Sequence, residues 1–402
     1  MKTLELITLG LLASSLAVPA QFNFAFSSSS TGADGPLNVT TNTTIDLPTN
    51  GIFNFTTINV STGATLRFNR NTANTPVYLL AAGNVNIAGT IDVSGESFPG
   101  GRVGGKGGPG GFDGGFPAFN GLGAGDGYGP GGGKAGGDAA AGCWGGPSSA
   151  GAGSYSTVTH SSYTSTNKGI AYGSPLLVPI VGGSGGGGTS SGYGGGGGGG
   201  AILIASSTRI DVSGTIAANG GDGLLFYDNT GCLSSCCPQH LNPGSGGAIR
   251  LVAPIVAGAG NLIATGPTNG YVPNNYGRLR VDSIDRRDAS FSVTGSYSIG
   301  TYMVTFPPSR LDIIEVGGTN IVEGSGPVSI QLPNDSPTNV TVTVTARNFN
   351  AIVTNLVVLT PENGPRAVYT NVIDNVANNP AAGTVTVGLS VNTIVTISAW
   401  TQ

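Results

Sequence analysis

Charge is scarce in this chain. Charged residues make up 9% of the 402 positions, 16 Lys and Arg against 20 Asp and Glu, for a net charge of −4. So weak a field gives no electrostatic reason for nucleic acid or an anionic membrane to bind. Histidine is scarcer still. His160 and His240 both lie in glycine- and serine-rich stretches and read as loop residues rather than catalysts. Helical periodicity is missing beyond the first twenty residues, and no later run is long and apolar enough to cross a bilayer. A strict Gly-X-Y period is also missing, which excludes collagen despite 71 glycines. What the chain does have is Val, Ile, Thr, Ser and Asn in abundance, a composition that favours β-structure.

Residues 1–20 read as a signal peptide: Lys2 supplies the positive end, Leu6 to Val18 the apolar stretch, and Val18-Pro19-Ala20 the cleavage site before Gln21. The expected location is secreted, extracellular or cell-surface. In that setting Cys143, Cys232, Cys236 and Cys237 are disulfide candidates with three possible connectivities. Adjacent Cys236 and Cys237 cannot pair without strain, which favours Cys143 with one of them and Cys232 with the other. A zinc reading of Cys232, Cys236, Cys237 and His240 is the weaker one in an oxidising compartment, so no metal is assigned. Asn38, Asn42, Asn54, Asn59 and Asn339 begin glycosylation sequons.

An internal repeat carries most of the fold information. One copy runs Val77–Ala82 and then Val85–Gly95, a second Ala201–Ser206 and then Ile210–Gly220, and a third Ala248–Ala253 and then Val256–Gly266. A looser copy precedes them at Ile52–Phe55, Ile58–Val60 and Leu66–Phe68. Each copy has three short β-prone runs with alternating apolar residues, so Val85/Ile87, Ile210/Val212, Ile91/Val93 and Ile216/Ala218 should point inward. Gly89 and Gly214 occupy matching corners, where a positive φ would be cheap. One copy cannot bury its own inward face, so the copies must stack. The expected fold is all-β: a right-handed parallel β-helix over residues 21–306. Antiparallel hairpins in a sandwich are the competing arrangement.

Glycine-rich insertions interrupt the repeat at about 96–200 and 221–246, just after Gly95 and Gly220, and a shorter excursion follows Gly266. Stacking places all three exits along one edge. The insertions read either as flexible loops or as a packed bundle of polyglycine-II-like strands, with close backbone approach permitted by the missing side chains. Phe112, Phe116, Phe119, Tyr128 and Trp144 are available to anchor such a layer. Phe112, Tyr128 and Trp144, with Tyr271 and Tyr276 of the third excursion, are the candidate binding residues.

Beyond about Pro307 glycine thins. Seven strand candidates, from Leu311–Val316 to Ile394–Trp400, predict an Ig-like β-sandwich over 307–402.

The coils at Ala201–Gly220, the exit Gly277-Arg278-Leu279-Arg280-Val281 and the start Gly32-Ala33-Asp34-Gly35 resemble the pectin-lyase-like β-helix proteins. They resemble more closely the glycine-rich exported β-helix proteins of bacteria, over roughly residues 25–285. The resemblance implies a fold and export. It implies no activity, because the Asn-Thr-Asp, Asp-Asp and Gly-His-Gly motifs of the hydrolases are absent. Asp282, Asp285, Arg286 and Asp288 are the candidates for a lyase or hydrolase site, with a calcium ion (Ca2+) as the only cofactor worth considering. The same cluster reads more simply as a solvated ion-pair turn. Asp92 and Asp211 sit in similar strings but in different runs of the repeat. Thr40, Thr41, Thr43, Thr44, Thr56 and Thr57 do not recur coil by coil, as an ice-binding array would require. The expected function is therefore a structural or adhesive protein. Its glycine-rich edge would bind an extracellular glycan or protein, or another copy of itself.

Overall fold

The computed structural model of the chain describes residues 26–136, 150–158, 167–190, 192–223, 242–267, 275–304, 308–324, 327–362 and 365–401. The expected signal peptide, all four cysteines, His160, His240, Trp144 and Tyr271 lie outside the described residues. The described chain is all-β and contains no helix. It follows that no described helix is long and apolar enough to cross a membrane.

The first seventeen strands build three parallel sheets, and the chain visits the sheets in rotation. A first circuit is β1 (Leu37–Val39), β2 (Thr43–Asp46) and β3 (Ile52–Phe55). The second is β4 (Ile58–Val60), β5 (Thr65–Asn69) and β6 (Val77–Ala81). The third is β7 (Val85–Ile87), β8 (Thr90–Asp92) and, after the long insertion, β9 (Ala201–Ser206). The fourth is β10 (Arg209–Val212), β11 (Thr215–Ala217) and β12 (Ala248–Val252). The fifth is β13 (Ile255–Ala257), β14 (Asn261–Ile263) and β15 (Arg278–Asp282), and β16 (Ser292–Thr294) and β17 (Ser296–Gly300) close the series.

Alternation fixes which side chains face the interior. Ile210 pairs with Val85 on one side and Val256 on the other, and Ile216 with Ile91 and Leu262. All six are fully buried in a single core. One register differs from the copy-to-copy alignment: Val77 pairs with Ile202, not with Ala201. A one-residue slip would turn Val77, Leu79 and Ala81 away from the interior that Ile202 and Ile204 share. The corner glycines also need a correction. Gly63 has a φ of 81°, but Gly89 and Gly214 are not in the left-handed region. A side chain at Gly89 would overlap the carbonyl oxygens of Ser61 and Ala64, and one at Gly214 that of Gly89. Close stacking of corners, rather than φ, demands glycine there.

The remaining strands form two four-stranded antiparallel sheets. They begin with β18 (Arg310–Val316), β19 (Thr319–Asn320), β20 (Val328–Gln331) and β21 (Asn339–Arg347). They end with β22 (Ile352–Pro361), β23 (Ala367–Asp374), β24 (Ala381–Gly388) and β25 (Ile394–Thr401). One sheet has the order β19-β18-β21-β24 and the other β20-β25-β22-β23. Their inward residues, among them Val342, Val344, Val357 and Ile397, make one core. Each expected strand of this region coincides with one of these, Leu332 and Leu389 falling one residue beyond β20 and β24, and the exposed two-residue β19 is additional.

Candidate functional site

The insertions leave the parallel sheets at stacked positions. The Gly95 N–H donates to the Asn219 carbonyl (2.7 Å), and the Gly220 N–H to that of Thr265 (3.0 Å). Beyond these exits the glycine runs pack side by side. Residues 194–200 occupy the middle. Their donors rotate through three neighbours with a period of three residues: Gly195 and Gly198 bond to Gly115 and Phe112, Gly196 and Gly199 to Asn242 and Ser245, Gly197 and Gly200 to Glu96 and Val93. Their carbonyls rotate in step. Those of Gly195 and Gly198 accept from Gly105 and Gly108, those of Gly196 and Gly199 from Gly186 and Gly183, and that of Gly197 from Gly221. Residues 182–188 follow the pattern only in part, since the Ser184 N–H donates to the Ser245 hydroxyl and Gly187 to a different segment. Gly182, Gly185 and Gly188 donate to Gly110, Tyr128 and Gly125, Gly183 and Gly186 to Gly199 and Gly196, and Gly187 to Gly151.

A repeat of three residues per turn, with every bond made to another segment, is the signature of a polyproline-II-type helix. The insertions are therefore a packed bundle rather than open loops over the described residues. Neither run has a glycine of positive φ. What excludes other residues is space: a Cβ on Gly195, Gly196, Gly197 or Gly198 would overlap the carbonyl oxygen of Gly186, Gly221, Lys106 or Gly183.

Aromatic residues bind the bundle to the sheet containing β6, β9 and β12. Tyr155 and Tyr172 are buried with ring centroids 4.7 Å apart. The Tyr172 hydroxyl donates to the Gly182 carbonyl (2.6 Å) and accepts from Ser184 (2.9 Å), while Arg278 donates to the Tyr172 carbonyl (2.9 Å). Leu177, Ile180 and Leu203 complete this second core. Burial pushes both phenols well up. Of the expected anchors, Phe112 is buried, the Phe116 ring lies against Gly125, and Phe119 lies under the Arg102 guanidinium at 3.5 Å.

Among the described residues, Trp400 and Arg366 tie the antiparallel double sheet to the bundle. The Trp400 ring meets Phe112 edge-on, centroids 4.6 Å apart. Arg366 donates from its side chain to the Gly129 carbonyl (2.9 Å) and from its backbone to Asp126 (3.3 Å). Burial pulls the Arg366 guanidinium pKa down, opposed by Asp126. Tyr128 sits at the same junction, its phenol raised by burial and then by Asp113 and Glu362.

Beside this junction lies a cleft of about 870 Å3. Asn50, Ile52, Asn74, Tyr78 and Phe112 line one wall; Arg310, Asp312, Glu323, Arg347, Ser398 and Trp400 line the other. The charges on that second wall neutralise each other. Arg310 pairs with Asp312 (2.8 Å) and with Glu323 (3.2 Å), and Glu323 also pairs with Arg347. The Arg347 hydrogen bond lowers the Glu323 carboxyl, whereas burial raises that of Asp312. Asn74, at a φ of 49°, clamps the wall to the bundle by accepting from Gly110 (3.0 Å) and donating to Gly111 (2.7 Å).

The other expected site residues lie elsewhere. Asp282 is fully buried between Arg250 (3.0 Å) and Arg280 (2.7 Å), and it accepts from the Tyr302 N–H (3.0 Å). A solvated turn describes Asp285 and Asp288 but not Asp282. Arg287 holds the half-buried Asp285 carboxyl down to about 2, and Arg286 donates to the Gly300 carbonyl (2.8 Å). Asp92 and Asp211 fall in different sheets, paired with Arg67 and Arg209. Tyr276 bonds through its backbone to Ser156 and Thr157, away from the cleft. Among the described residues no three His, Cys, Asp or Glu side chains converge as metal ligands. Phe112 and Tyr128 thus meet at the junction. Sequence reasoning missed Tyr78, Trp400 and the charged wall; Trp400, the lone aromatic of a terminal strand, was the one legible hint.

Comparison of the chain with protein-family models, curated proteins and solved structures finds no match.

Proposed function

We propose that this chain is an exported structural and adhesive protein of the cell surface or extracellular space. In this reading the three parallel sheets are a right-handed β-helix serving as a stalk, and the two antiparallel sheets are an Ig-like module. The glycine-rich bundle is the rigid face that holds a glycan, a protein or another copy of the chain. One observation carries the proposal: the period-three bonding of residues 194–200, buried at the middle of the bundle, which holds the outer segments of the insertions in fixed positions. A surface ordered before binding loses little conformational entropy on contact, and that suits adhesion.

The lyase or hydrolase reading draws no comparable support. Asp282 is enclosed by two arginines and Asp285 is paired with Arg287 at the surface.

Fractionation of a producing cell tests the location, with the chain expected outside the cytoplasm. Hydrogen exchange tests the bundle. Amides of 182–188 and 194–200 should be as protected as those of β9 and β12. Binding of the full chain to cell-envelope preparations, with light scattering for self-association, tests the role. A freely exchanging bundle together with neither binding nor association would refute it.

A further inference from the structure

We propose that the cleft between the bundle and the double sheet binds an uncharged, hydroxyl-rich chain, namely a neutral oligosaccharide. The inference rests on the extracellular binding role and names its ligand class and its place.

Size comes first. About 870 Å3 lies within the ~300–1,000 Å3 range of small-molecule sites and has room for several sugar rings. Chemistry comes second. The partly exposed rings of Tyr78 and Trp400 give the cleft flat apolar surfaces from two separate parts of the chain, with the buried Phe112 backing Trp400. Such rings suit the C–H-rich face of a pyranose, and the amides of Asn50 and Asn348 at the cleft suit its hydroxyls.

Charge decides between ligand classes. Two guanidiniums, Arg310 and Arg347, face two carboxylates, Asp312 and Glu323, and each is already ion-paired. No surplus positive charge remains to select a uronate or a phosphate, and no surplus negative charge to select a basic peptide. The groups still offer directional donors and acceptors, as recognition of neutral hydroxyls requires. Rigidity comes last. Phe112 against Trp400 and Arg366 against Gly129 fasten the two walls to each other beside the cleft, so its shape exists before the ligand arrives.

The test uses the full chain. Trp144→Phe leaves Trp400 as the sole tryptophan, since the sequence has two. Neutral gluco-, manno-, xylo- and chito-oligosaccharides are titrated beside oligogalacturonate and oligoalginate, with calorimetry and Trp400 emission as readouts. At least one neutral series should bind saturably and shift the emission, with the anionic series weaker. Thr49→Phe and Ser398→Phe narrow the cleft from opposite walls without touching its ion pairs. Each should weaken that binding about tenfold or more at an unchanged melting temperature. Preference for the anionic series, no neutral series binding, or undiminished binding in both narrowed variants would overturn the inference. Envelope binding that survives in the narrowed variants would sink the cleft while leaving the adhesive role standing.

Discussion

The α-carbon of Gly195 faces the carbonyl oxygen of Gly186 so closely that a methyl group on the one would overlap the other. The opposing group is backbone, held in place by the bond it accepts from the Gly115 N–H (2.8 Å), and cannot rotate away. Gly195→Ala should therefore cost about 3 kcal/mol or more in urea unfolding. Gly123→Ala is the control: no atom lies within 4 Å of its added Cβ and its φ is not positive, so the change should stay within about 0.5 kcal/mol. Equal effects at the two sites would mean that the bundle is not close-packed.

Asp282→Ala removes the shared partner of two buried guanidiniums, Arg250 and Arg280. Leaving buried charge uncompensated costs about 3–5 kcal/mol. Asp285→Ala, which loses a surface pair with Arg287 and the acceptor of the Arg287 N–H, should move the denaturation midpoint far less. Both variants are read by the same denaturant titration.

Trp400→Ala takes away the edge-on contact with Phe112, and Arg366→Ala the bond to Gly129. The first should cost about 2 kcal/mol, less than a fully buried Trp because the ring is partly exposed. In both, hydrogen exchange should quicken at Gly127–Gly133 while residues 194–200 keep their protection. Slowed or unchanged exchange at Gly127–Gly133 would show that the junction does not depend on these contacts.

Alkali should loosen the bundle before the remaining core. Burial raises the Tyr78 phenol from 10.0 to about 12, and those of Tyr155 and Tyr172 further. A pKa higher in the folded chain means that the unfolded chain loses its proton first. This stabilisation is complete below pH 10, and Tyr78's share is lost as pH rises through about 12. Melting temperature should fall steadily over that interval, with phenolate absorbance of the buried tyrosines appearing only as the protein unfolds. Tyr172→Phe, which keeps the ring and drops the ionisable group, should flatten the fall.

Much of the parallel-sheet region was legible because a period of two leaves a trace in every strand. Ile210, Val212 and Ile216 announced their inward face and their partners in the neighbouring copy. The slip at Val77 was invisible, since Val77-Tyr78-Leu79-Leu80-Ala81 is apolar in both registers. Asp282 looked solvated from its neighbours Asp285, Arg286 and Arg287. Only the chain after Gly300, returning with Tyr302 over Arg250, encloses it.

By itself the sequence determined the β-character, the repeat, the shared exit edge of the insertions and the strands of the C-terminal region. These follow from local alternation and from spacing along the chain. The tertiary structure decided which glycine runs lie side by side, because a residue without a side chain carries no mark of its partner. It also decided the cleft. Tyr78, Phe112 and Trp400 are far apart along the chain, and only the docking of the double sheet on the glycine bundle brings their rings to one place.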